Sequence, residues 1–351
     1  MNNMNPSSDI NWDSLGFEFF PTRSMFRMDS NESGQWNNGG LIPFGELSFS
    51  PASGVLNYGQ GAFEGTKAFR SVKDRIVLFR PDMNAERLGQ SAKRLVMPKV
   101  EKIDFLSAVE MVVRDNADFI PPLGKGSLYI RPLLWGTGPV LGVRPAPTYT
   151  FIVFVTPVGS YFKNGVKPLK LKMTRNFHRA APHGTGNAKA IGNYAASLFP
   201  LKLAKETGFD EVLYLHAADE TQLEEVGSAN VFIVKDNVIK TPRLSGSILP
   251  GITRNSVIRI ARDILKLEVE ETEITIKDLL AADEAFCTGT AVVVTPIGNI
   301  TVEEDAHSIS GGGEGKITAQ LRKEIVGIQR EERDDPFCWV HPVDKESNDE
   351  K

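Results

Sequence analysis

Cysteine is almost absent from the sequence, since only Cys287 and Cys338 occur among 351 residues. Two cysteines so far apart argue against a disulfide framework and favour a reducing compartment. No apolar run reaches the length of a membrane span. With a net charge of -4 there is no basic excess to attract nucleic acid or an anionic membrane. Residues 1–11 contain neither an apolar segment nor an Arg-rich amphipathic stretch, so no targeting leader is expected and the protein is predicted to be cytoplasmic.

The composition is that of a soluble globular protein, with 41% hydrophobic and 24% charged residues. A chain of 351 residues is long enough for two domains of ordinary size. The best candidate for a linker is the glycine- and proline-containing stretch 159–168. The sequence therefore predicts a small N-terminal domain over 1–158 and a larger C-terminal domain over 169–351.

Strand-like and helical runs alternate along the chain, and no internal repeat is present. Strands are predicted over 76–79, 127–135, 149–158, 169–173, 211–215, 230–234 and 238–240. Helices are predicted over 84–95, 193–206 and 255–267. Asp236 and Asn237 are expected to form a hairpin turn, and the charged tail after Glu331 is expected to be frayed.

A lysine and a downstream acid form the pattern that pyridoxal phosphate chemistry needs. Lys189 lies in the glycine-rich run GTGNAKAIGNY, and Glu225 follows thirty-six residues later, just before an apolar strand. The lysine offers an amine for a Schiff base, and the acid offers a partner for the pyridinium nitrogen. Either residue alone is more often a solvated charge or a turn residue, so the prediction depends on the pair.

Six blocks extend this pattern over nearly the whole chain. In order they read LNYGQGAFEGTKAFR, YIRPLLWGTG, the Lys189 run, EEVGSAN, LPGITR and EAFCTGTAVVV. With these blocks the chain resembles the plant-type branched-chain amino acid aminotransferases. The resemblance implies a two-domain α+β or α/β enzyme of PLP fold type IV, like D-amino-acid aminotransferase. Such an enzyme transfers amino groups from leucine, isoleucine or valine to 2-oxoglutarate with pyridoxal 5'-phosphate, and the resemblance implies no metal.

The resemblance assigns the central residues of the active site. Lys189 matches the Schiff-base lysine, which also moves the proton as general base and acid. Tyr194 matches the tyrosine that hydrogen-bonds the phenolate oxygen of the cofactor, and core packing is its alternative. Glu225 matches the carboxylate at the ring nitrogen. The adjacent Glu224 competes for this role, because neighbouring side chains of a strand point to opposite faces.

Backbone donors at a helix N-terminus are expected to bind the cofactor phosphate. Gly251, Ile252 and Thr253 lead into a predicted helix, and Gly251 permits close approach of the backbone. By resemblance, the other phosphate and ring ligands are Thr290, Arg87 and Ser228. A simple turn serine is the alternative for Ser228.

The substrate pocket has to accept an aliphatic side chain in one half-reaction and a carboxylate in the other. By resemblance, the residues that line it are Phe17, Tyr58, Phe63, Tyr129 and Trp135. Arg131 and Tyr58 are expected to bind the γ-carboxylate of glutamate or 2-oxoglutarate. The backbone N–H groups of Thr290 and Ala291 are expected to bind the α-carboxylate. An inward arginine in so apolar a strand is costly unless an anion meets it, and an outward-facing edge arginine is the alternative for Arg131.

Three further residues are expected to complete or close the pocket. Leu141 and Val143, like Tyr58, match positions that reach the active site of a neighbouring subunit, so the resemblance implies a homodimer. Tyr161, in the predicted linker, is expected to close over the substrate.

The chain departs from the family pattern at a few positions. His183 and Asn187 stand where glycine is common, and Asn187 preserves the loop if it adopts positive φ. Trp135 is bulkier than the usual aliphatic residue, and if it faces the pocket, the preference among leucine, isoleucine, valine and methionine is left open. D-amino-acid aminotransferases and aminodeoxychorismate lyases are the alternatives within the fold, since they share the lysine and the glutamate but differ in carboxylate recognition. The blocks 129–131 and 289–291 favour a branched-chain aminotransferase. A catalytically silent dimer is the alternative from another class, and retention of the whole catalytic set argues against it.

Overall fold

The computed structural model describes residues 10–160 and 165–343. The chain divides into two units, the first made of residues 1–163 and 327–351 and the second of residues 164–326. The change of unit falls inside the linker predicted over 159–168. The sequence assigned all of 169–351 to one domain, and here the structure differs, because residues from 327 onward belong to the first unit.

The elements of the described residues are numbered in chain order. The strands are β1 (Ser24–Asp29), β2 (Gly40–Pro43), β3 (Gly61–Phe63), β4 (Thr66–Arg70), β5 (Ile76–Phe79), β6 (Gly126–Gly136), β7 (Tyr149–Gly159), β8 (Leu169–Thr174), β9 (Glu211–His216), β10 (Asp219–Val226), β11 (Ala229–Lys235), β12 (Val238–Pro242), β13 (Val269–Thr272), β14 (Glu284–Gly289), β15 (Val293–Val302), β16 (Asp305–Ser308) and β17 (Val340–Pro342). The helices are α1 (Gly54–Tyr58), α2 (Pro81–Arg94), α3 (Lys102–Asp115), α4 (Ile191–Ala195), α5 (Leu198–Glu206), α6 (Ile252–Arg259), α7 (Ile276–Leu280) and α8 (Lys316–Gln329). Short 3-10 turns cover Ala117–Phe119 and Ser310–Gly312, and a π-helical turn covers Ile260–Ile264.

The first unit is built on one antiparallel sheet. Its strand order is β17, β5, β4, β6, β7, β1 and β2, and β3 also pairs with β6. β6 and β7 pair along eleven residues each, and their apolar sequence is largely buried, as predicted. Helices α2 and α3 cover the sheet, with Leu88, Phe105 and Phe151 almost inaccessible to solvent. This sheet positions the predicted substrate residues of β3 and β6.

The C-terminal segment returns to the edge of this sheet, which explains the domain boundary. Val340–Pro342 pairs antiparallel with β5, and the Trp339 ring packs edge-on against Phe79 with their centroids 5.7 Å apart. An edge strand such as β17 can end in proline, because the strand has a neighbour on one side only and its other side needs no N–H donor. The prediction of a frayed tail after Glu331 is therefore wrong for the described residues up to Val343.

The second unit contains a closed ring of six strands. β10, β9, β8, β15, β14 and β11 follow one another, and β11 pairs with β10 to close the ring. β8 runs parallel to both β9 and β15, whereas β10, β11 and β14 form antiparallel pairs. Aliphatic residues such as Leu213, Val231 and Ile297 fill the core. The ring places the end of β10 next to the start of β11, and the candidate site residues Glu225 and Ser228 lie there.

Local signals predict seven of the described strands and three helical regions, and two of the predicted helices differ in detail. Asp236 and Asn237 have φ of 50° and 63°, which confirms the hairpin turn. The helix predicted over 193–206 is interrupted between α4 and α5, since Pro200 has no N–H for the preceding turn. The helix predicted over 255–267 begins at Ile252 and continues as the π-helical turn.

Candidate active site

Lys189 and Tyr194 form the centre of the candidate site in the second unit. Lys189 Nζ donates a hydrogen bond of 2.7 Å to the Tyr194 hydroxyl. Tyr194 lies on α4, a helix of five residues that begins two residues after the lysine. The structure thus brings together two residues of the GTGNAKAIGNY run whose roles were predicted separately, Lys189 for the Schiff base and Tyr194 for the phenolate oxygen of the cofactor. Both side chains remain partly accessible.

The loop before Lys189 is held by the side chain of Asn193. Asn193 Nδ2 donates to the carbonyl of Thr185 at 2.8 Å and to that of Ala188 at 3.0 Å. Asn193 Oδ1 accepts from the Thr185 hydroxyl at 2.7 Å. The loop requires positive φ at His183, with φ of 62°, and not at Asn187 as the sequence suggested.

Glu225 lies near the end of β10 and is almost completely buried. Its Oε1 accepts from Asn230 Nδ2 at 2.8 Å, and its Oε2 is 2.6 Å from Arg179 Nη2. Burial raises the pKa of Glu225 to about 7, although the Arg179 guanidinium acts in the opposite direction. Glu225 and Tyr194 line the same cleft. A buried acid with a raised pKa therefore lines the same cleft as Tyr194, the hydrogen-bond partner of Lys189.

Glu224 is also buried, so burial alone does not separate the two candidate acids. Burial raises the pKa of Glu224 as well, opposed by the Ser247 hydroxyl and by Arg179. The cleft that contains Tyr194 is lined by Glu225 and not by Glu224. This geometry favours Glu225, in agreement with the register implied by the resemblance.

Arg179 and Asn230 are residues that the sequence reading missed. The Arg179 side chain is 9% exposed, pairs with Glu225 and also contacts the Ser247 carbonyl. Asn230 Nδ2 joins Glu225 to the Leu249 carbonyl, which it meets at 3.0 Å. Asn230 follows Glu225 by five residues across a tight strand connection, a signal that could have been found. Arg179 has no local signature, since forty-six residues separate it from Glu225.

The candidate phosphate loop at 251–253 lies next to Asn230, which is hydrogen-bonded to Glu225. Gly251 is the N-cap of α6, and Ile252 and Thr253 are the first two residues of the helix. A Cβ at Gly251 would lie 1.9 Å from Asn230 Oδ1, so only glycine fits there. The first N–H groups of a helix have no acceptor within the helix, which makes this end suited to an anion.

A second turn lies at the same end of the ring of strands. Asn230 pairs with Thr288 across β11 and β14, and Thr290 and Ala291 follow directly in the turn to β15. Ser228 is exposed in the turn between β10 and β11 and lines the cleft with Glu225. The second unit thus brings Ser228, Thr290 and Ala291 to the end that holds Glu225, and their roles at the cofactor and the substrate stay predictions.

In the first unit, Arg131 lies among aromatic rings. Its guanidinium carbon is 4.8 Å from the centre of the Phe63 ring and 5.3 Å from that of Tyr129. Arg131 Nη2 is 3.4 Å from the Tyr129 hydroxyl, and Phe17 packs edge-on against Tyr129 at 5.2 Å. Among the described residues no carboxylate forms an ion pair with Arg131. An aromatic cluster with one cation that lacks an acid partner suits a substrate carboxylate.

Tyr58, Leu141 and Val143 form a separate group at the surface of the first unit. The Tyr58 hydroxyl accepts a hydrogen bond of 2.7 Å from the N–H of Gly142. Leu141 and Val143 are 89% and 90% exposed. The structure therefore places Tyr58 with the 141–143 loop and shows no contact between Tyr58 and Arg131.

Trp135 and Arg87 have other surroundings than the ring cluster around Arg131. Trp135 is 5% exposed and lines a different cleft, together with Arg27 and Asp29. Its bulk thus gives no reason to expect an altered side-chain preference. Arg87 forms two hydrogen bonds of 2.8 Å to the buried Glu64, through Nε and Nη2. Its charge is already neutralised, and its role at the phosphate stays a prediction.

Three further expectations concern Tyr161, membrane-spanning helices and metal sites. Tyr161 lies outside the described residues. Across residues 10–160 and 165–343 no helix is long and apolar enough to cross a membrane. Over the same ranges no group of three or more His, Cys, Asp or Glu residues could hold a metal ion.

The side chains of the second unit fit pyridoxal phosphate. Lys189 provides an amine for the aldehyde, and Glu225 provides a buried acid for the ring nitrogen. The N-terminus of α6 provides N–H donors that the helix itself cannot pair, and these suit the phosphate. Glycine at position 186 leaves the backbone in close contact with Ser247, since a Cβ there would lie 2.0 Å from the Ser247 carbonyl oxygen. The loop before Lys189 can therefore lie directly against segment 247–249, which contacts Arg179 and Asn230, the two partners of Glu225.

Comparison with known proteins agrees with this fit. The family model for amino-transferase class IV matches residues 61–300. The fold and the match together define a class IV aminotransferase. The chain is 49% identical to branched-chain-amino-acid aminotransferase 5, chloroplastic, of Arabidopsis thaliana over 95% of this chain and 80% of that protein. It is 50% identical to branched-chain amino acid aminotransferase 2, chloroplastic, of Humulus lupulus, with 95% and 81% covered. The chain belongs to the branched-chain aminotransferase family.

Two further comparisons bear on cofactor and substrate. The branched-chain amino acid aminotransferase from Thermobaculum terrenum, solved in its PLP form, superposes with a TM-score of 0.78 at 26% identity, over 93% of this chain and 99% of that chain. A methionine aminotransferase of Arabidopsis thaliana is 43% identical over 97% of this chain and 95% of that protein.

The relatives correct one expectation. The polar N-terminus led to the prediction of a cytoplasmic protein, but the two branched-chain relatives given above are named chloroplastic. The prediction is wrong because the composition of the first eleven residues does not decide the compartment.

Proposed function

We propose that this protein transfers the amino group of leucine, isoleucine or valine to 2-oxoglutarate, forming branched-chain 2-oxo acids and glutamate. The observation that carries the proposal is the 2.7 Å hydrogen bond between Lys189 Nζ and the hydroxyl of Tyr194, a residue that lines the same cleft as the buried Glu225. The names of the relatives support the branched-chain substrates. Lys189 and Glu225 suit a reaction in two half-reactions, in which the cofactor first receives the amino group and then passes it on.

Lys189 is the group that moves the proton. When bound, pyridoxal phosphate supplies the aldehyde that receives the amino group and a ring that accepts the electrons of the broken bond. Lys189 Nζ takes the proton from the substrate α-carbon as a base and returns it as an acid. The Tyr194 hydroxyl holds Nζ in one direction, so that the amine is aimed before the substrate arrives.

Glu225 holds a proton at the ring nitrogen. Its pKa is raised to about 7 by burial, so the carboxyl and the ring nitrogen can share one proton near neutral pH. Arg179 and Asn230 fix the two carboxylate oxygens at 2.6 Å and 2.8 Å, which prevents rotation of the acid. The N–H groups at the start of α6, with Thr290 from the second turn, would hold the phosphate.

Arg131 distinguishes the two substrates of the reaction. Its guanidinium lies over the rings of Phe63 and Tyr129 and has no carboxylate partner among the described residues. The γ-carboxylate of glutamate would supply that partner, whereas leucine would contact the rings. The Arg131 cluster would then accept both side chains, because the cation is already held in an aromatic environment.

A panel of amino donors and oxo acceptors tests the proposal. Turnover with leucine, isoleucine and valine and with 2-oxoglutarate is expected, in a ping-pong pattern. Methionine is the second candidate donor, since one relative is named a methionine aminotransferase. No activity with the three branched donors, together with good activity on a D-amino acid or on methionine alone, would overturn the proposal.

We further infer that the enzyme is a homodimer whose pockets are shared. Leu141 and Val143 are almost fully exposed, and the Tyr58 hydroxyl holds their loop at Gly142. Two exposed aliphatic side chains on a fixed loop are suited to insertion into a neighbouring copy. The sequence positions they match reach the neighbouring subunit's pocket in this family.

Mixed dimers test this arrangement. A Leu141→Glu subunit and a Lys189→Ala subunit are each expected to be inactive alone. Mixed and reassembled, they should recover about a quarter of the parent activity, since half of the dimers are hybrids with one intact pocket. Absence of recovery in demonstrated hybrids, or a monomer by analytical ultracentrifugation, would contradict the inference.

A further inference from the structure

Asn193 holds the chain segment from which Lys189 projects. Its amide uses both hydrogens, one to the Thr185 carbonyl at 2.8 Å and one to the Ala188 carbonyl at 3.0 Å. Its oxygen accepts from the Thr185 hydroxyl at 2.7 Å. Three hydrogen bonds fix the amide plane, and the carbonyl of Ala188 is the atom group directly before Lys189.

The same residue is fixed to Tyr194 through the backbone. Asn193 and Tyr194 are neighbours on α4, and Asn193 N donates to the Ala190 carbonyl at 3.2 Å. A displacement of the Asn193 side chain would therefore displace Ala188 relative to Tyr194. Segment 180–189 contains no helix or strand, and the backbone hydrogen bonds within it are turns such as Ala188 N to Thr185 O.

We propose that Asn193 is a positioning residue that sets the distance between Lys189 Nζ and the Tyr194 hydroxyl. This inference rests on the proposed function of Lys189, to which it adds a residue that lines the same cleft as Tyr194 and acts on Lys189 through its hydrogen bonds to the Lys189 segment. The amide is required because a carboxylate cannot donate to two carbonyls. Loss of these bonds lets the Lys189 segment shift, and a displacement of even 1 Å lowers the rate of a reaction that depends on the aim of an amine.

The alternative role is structural support of the fold. In that case, substitution at Asn193 would weaken every property of the second unit together. A positioning role instead predicts selective damage to the covalent reaction of Lys189, while ligands that form no bond with the lysine bind as before.

The test uses cofactor-free protein and compares two ligands. Pyridoxal phosphate reacts with Lys189, and borohydride traps the product for mass spectrometry. Pyridoxamine phosphate carries an amine in place of the aldehyde and cannot bond to the lysine. Asn193→Asp keeps the acceptor for the Thr185 hydroxyl but loses both donors, and Asn176→Ala, at an exposed asparagine of the second unit, is the control.

We expect Asn193→Asp to slow the trapping of Lys189 by about tenfold or more, with less than about a twofold change in the dissociation constant of pyridoxamine phosphate. Thr185→Val removes one of the three bonds and should slow trapping by about threefold. The Asn176→Ala control should match the parent. If Asn193→Asp does not fold, Thr185→Val decides the question by the same two ligands.

Equal trapping rates in the parent and both variants would overturn the inference, as would parallel losses for both ligands together with a lowered melting temperature. The parent protein separates this failure from that of the proposed function. If the parent itself shows no trapping at Lys189, the proposed function fails. If the parent is trapped and the variants behave alike, only the role of Asn193 is refuted.

Discussion

Replacement of Arg131 by leucine is the sharpest test of the proposed role of Arg131 in binding the γ-carboxylate of glutamate. The guanidinium lies 4.8 Å and 5.3 Å from the ring centres of Phe63 and Tyr129 and has no acid partner among the described residues. A buried charge-assisted pair with a substrate carboxylate contributes about 2 to 5 kcal/mol. The loss should therefore slow the glutamate half-reaction by roughly 30-fold to several thousand-fold.

The leucine half-reaction provides the internal comparison. An aliphatic side chain forms no pair with Arg131, so its rate is expected to change by less than about fivefold. Loss of the two ring contacts costs about 1 to 2 kcal/mol of folding stability, partly offset by the apolar surface of the new leucine. Arg131→Lys keeps the charge without the planar fork, and it should be intermediate with glutamate.

Single-turnover measurements of each half-reaction, with thermal unfolding of each variant, decide the matter. Arg70→Leu, at the end of β4 in the same unit, is the control and should leave both half-reactions unchanged. Equal losses with glutamate and leucine would refute the reasoning, because Arg131 would then be structural or would bind the shared α-carboxylate.

Three further predictions concern the second unit and the cysteines. Lys189→Ala should lose the visible absorbance of the bound cofactor and nearly all turnover while still binding pyridoxamine phosphate, and an unchanged spectrum would mean that another lysine reacts. Burial raises the pKa of Glu225 from 4.5 to about 7, so the folded cofactor-free protein holds a proton that the unfolded chain has released. Its free energy of unfolding should therefore fall by on the order of 3 kcal/mol between pH 4.5 and about 7 relative to Glu225→Gln, and parallel urea-unfolding curves for the two proteins would contradict this. Iodoacetamide should label the exposed Cys338 in the native protein and spare the buried Cys287, whose pKa burial raises to about 12, and mass spectrometry of both peptides checks it.

Local sequence signals account for the residues that lie close together in the chain. The turn at Asp236 and Asn237 depends on two residues that tolerate positive φ, and the structure confirms it. Lys189 and Tyr194 are five residues apart, and the short α4 brings them into contact. Such features need no knowledge of the rest of the fold.

Contacts between distant segments could not be predicted in the same way. Arg179 meets Glu225 only because the ring of strands brings β10 to the segment after β8. Trp135 shares a strand with Arg131, but four residues along a strand span about 13 Å, which is enough to place it in another cleft. The return of Val340–Pro342 to β5 likewise depends on an edge strand that accepts a partner.

The central claim is that Lys189, which is hydrogen-bonded to Tyr194 in the unit that also holds the buried Glu225, carries the cofactor. Borohydride reduction of the protein loaded with pyridoxal phosphate, followed by peptide mass spectrometry, tests it most directly. The account predicts the phosphopyridoxyl mass on the peptide that contains Lys189, and loss of that label when leucine is added before reduction. A label on any other lysine, or a label on Lys189 that leucine leaves unchanged, would contradict the account.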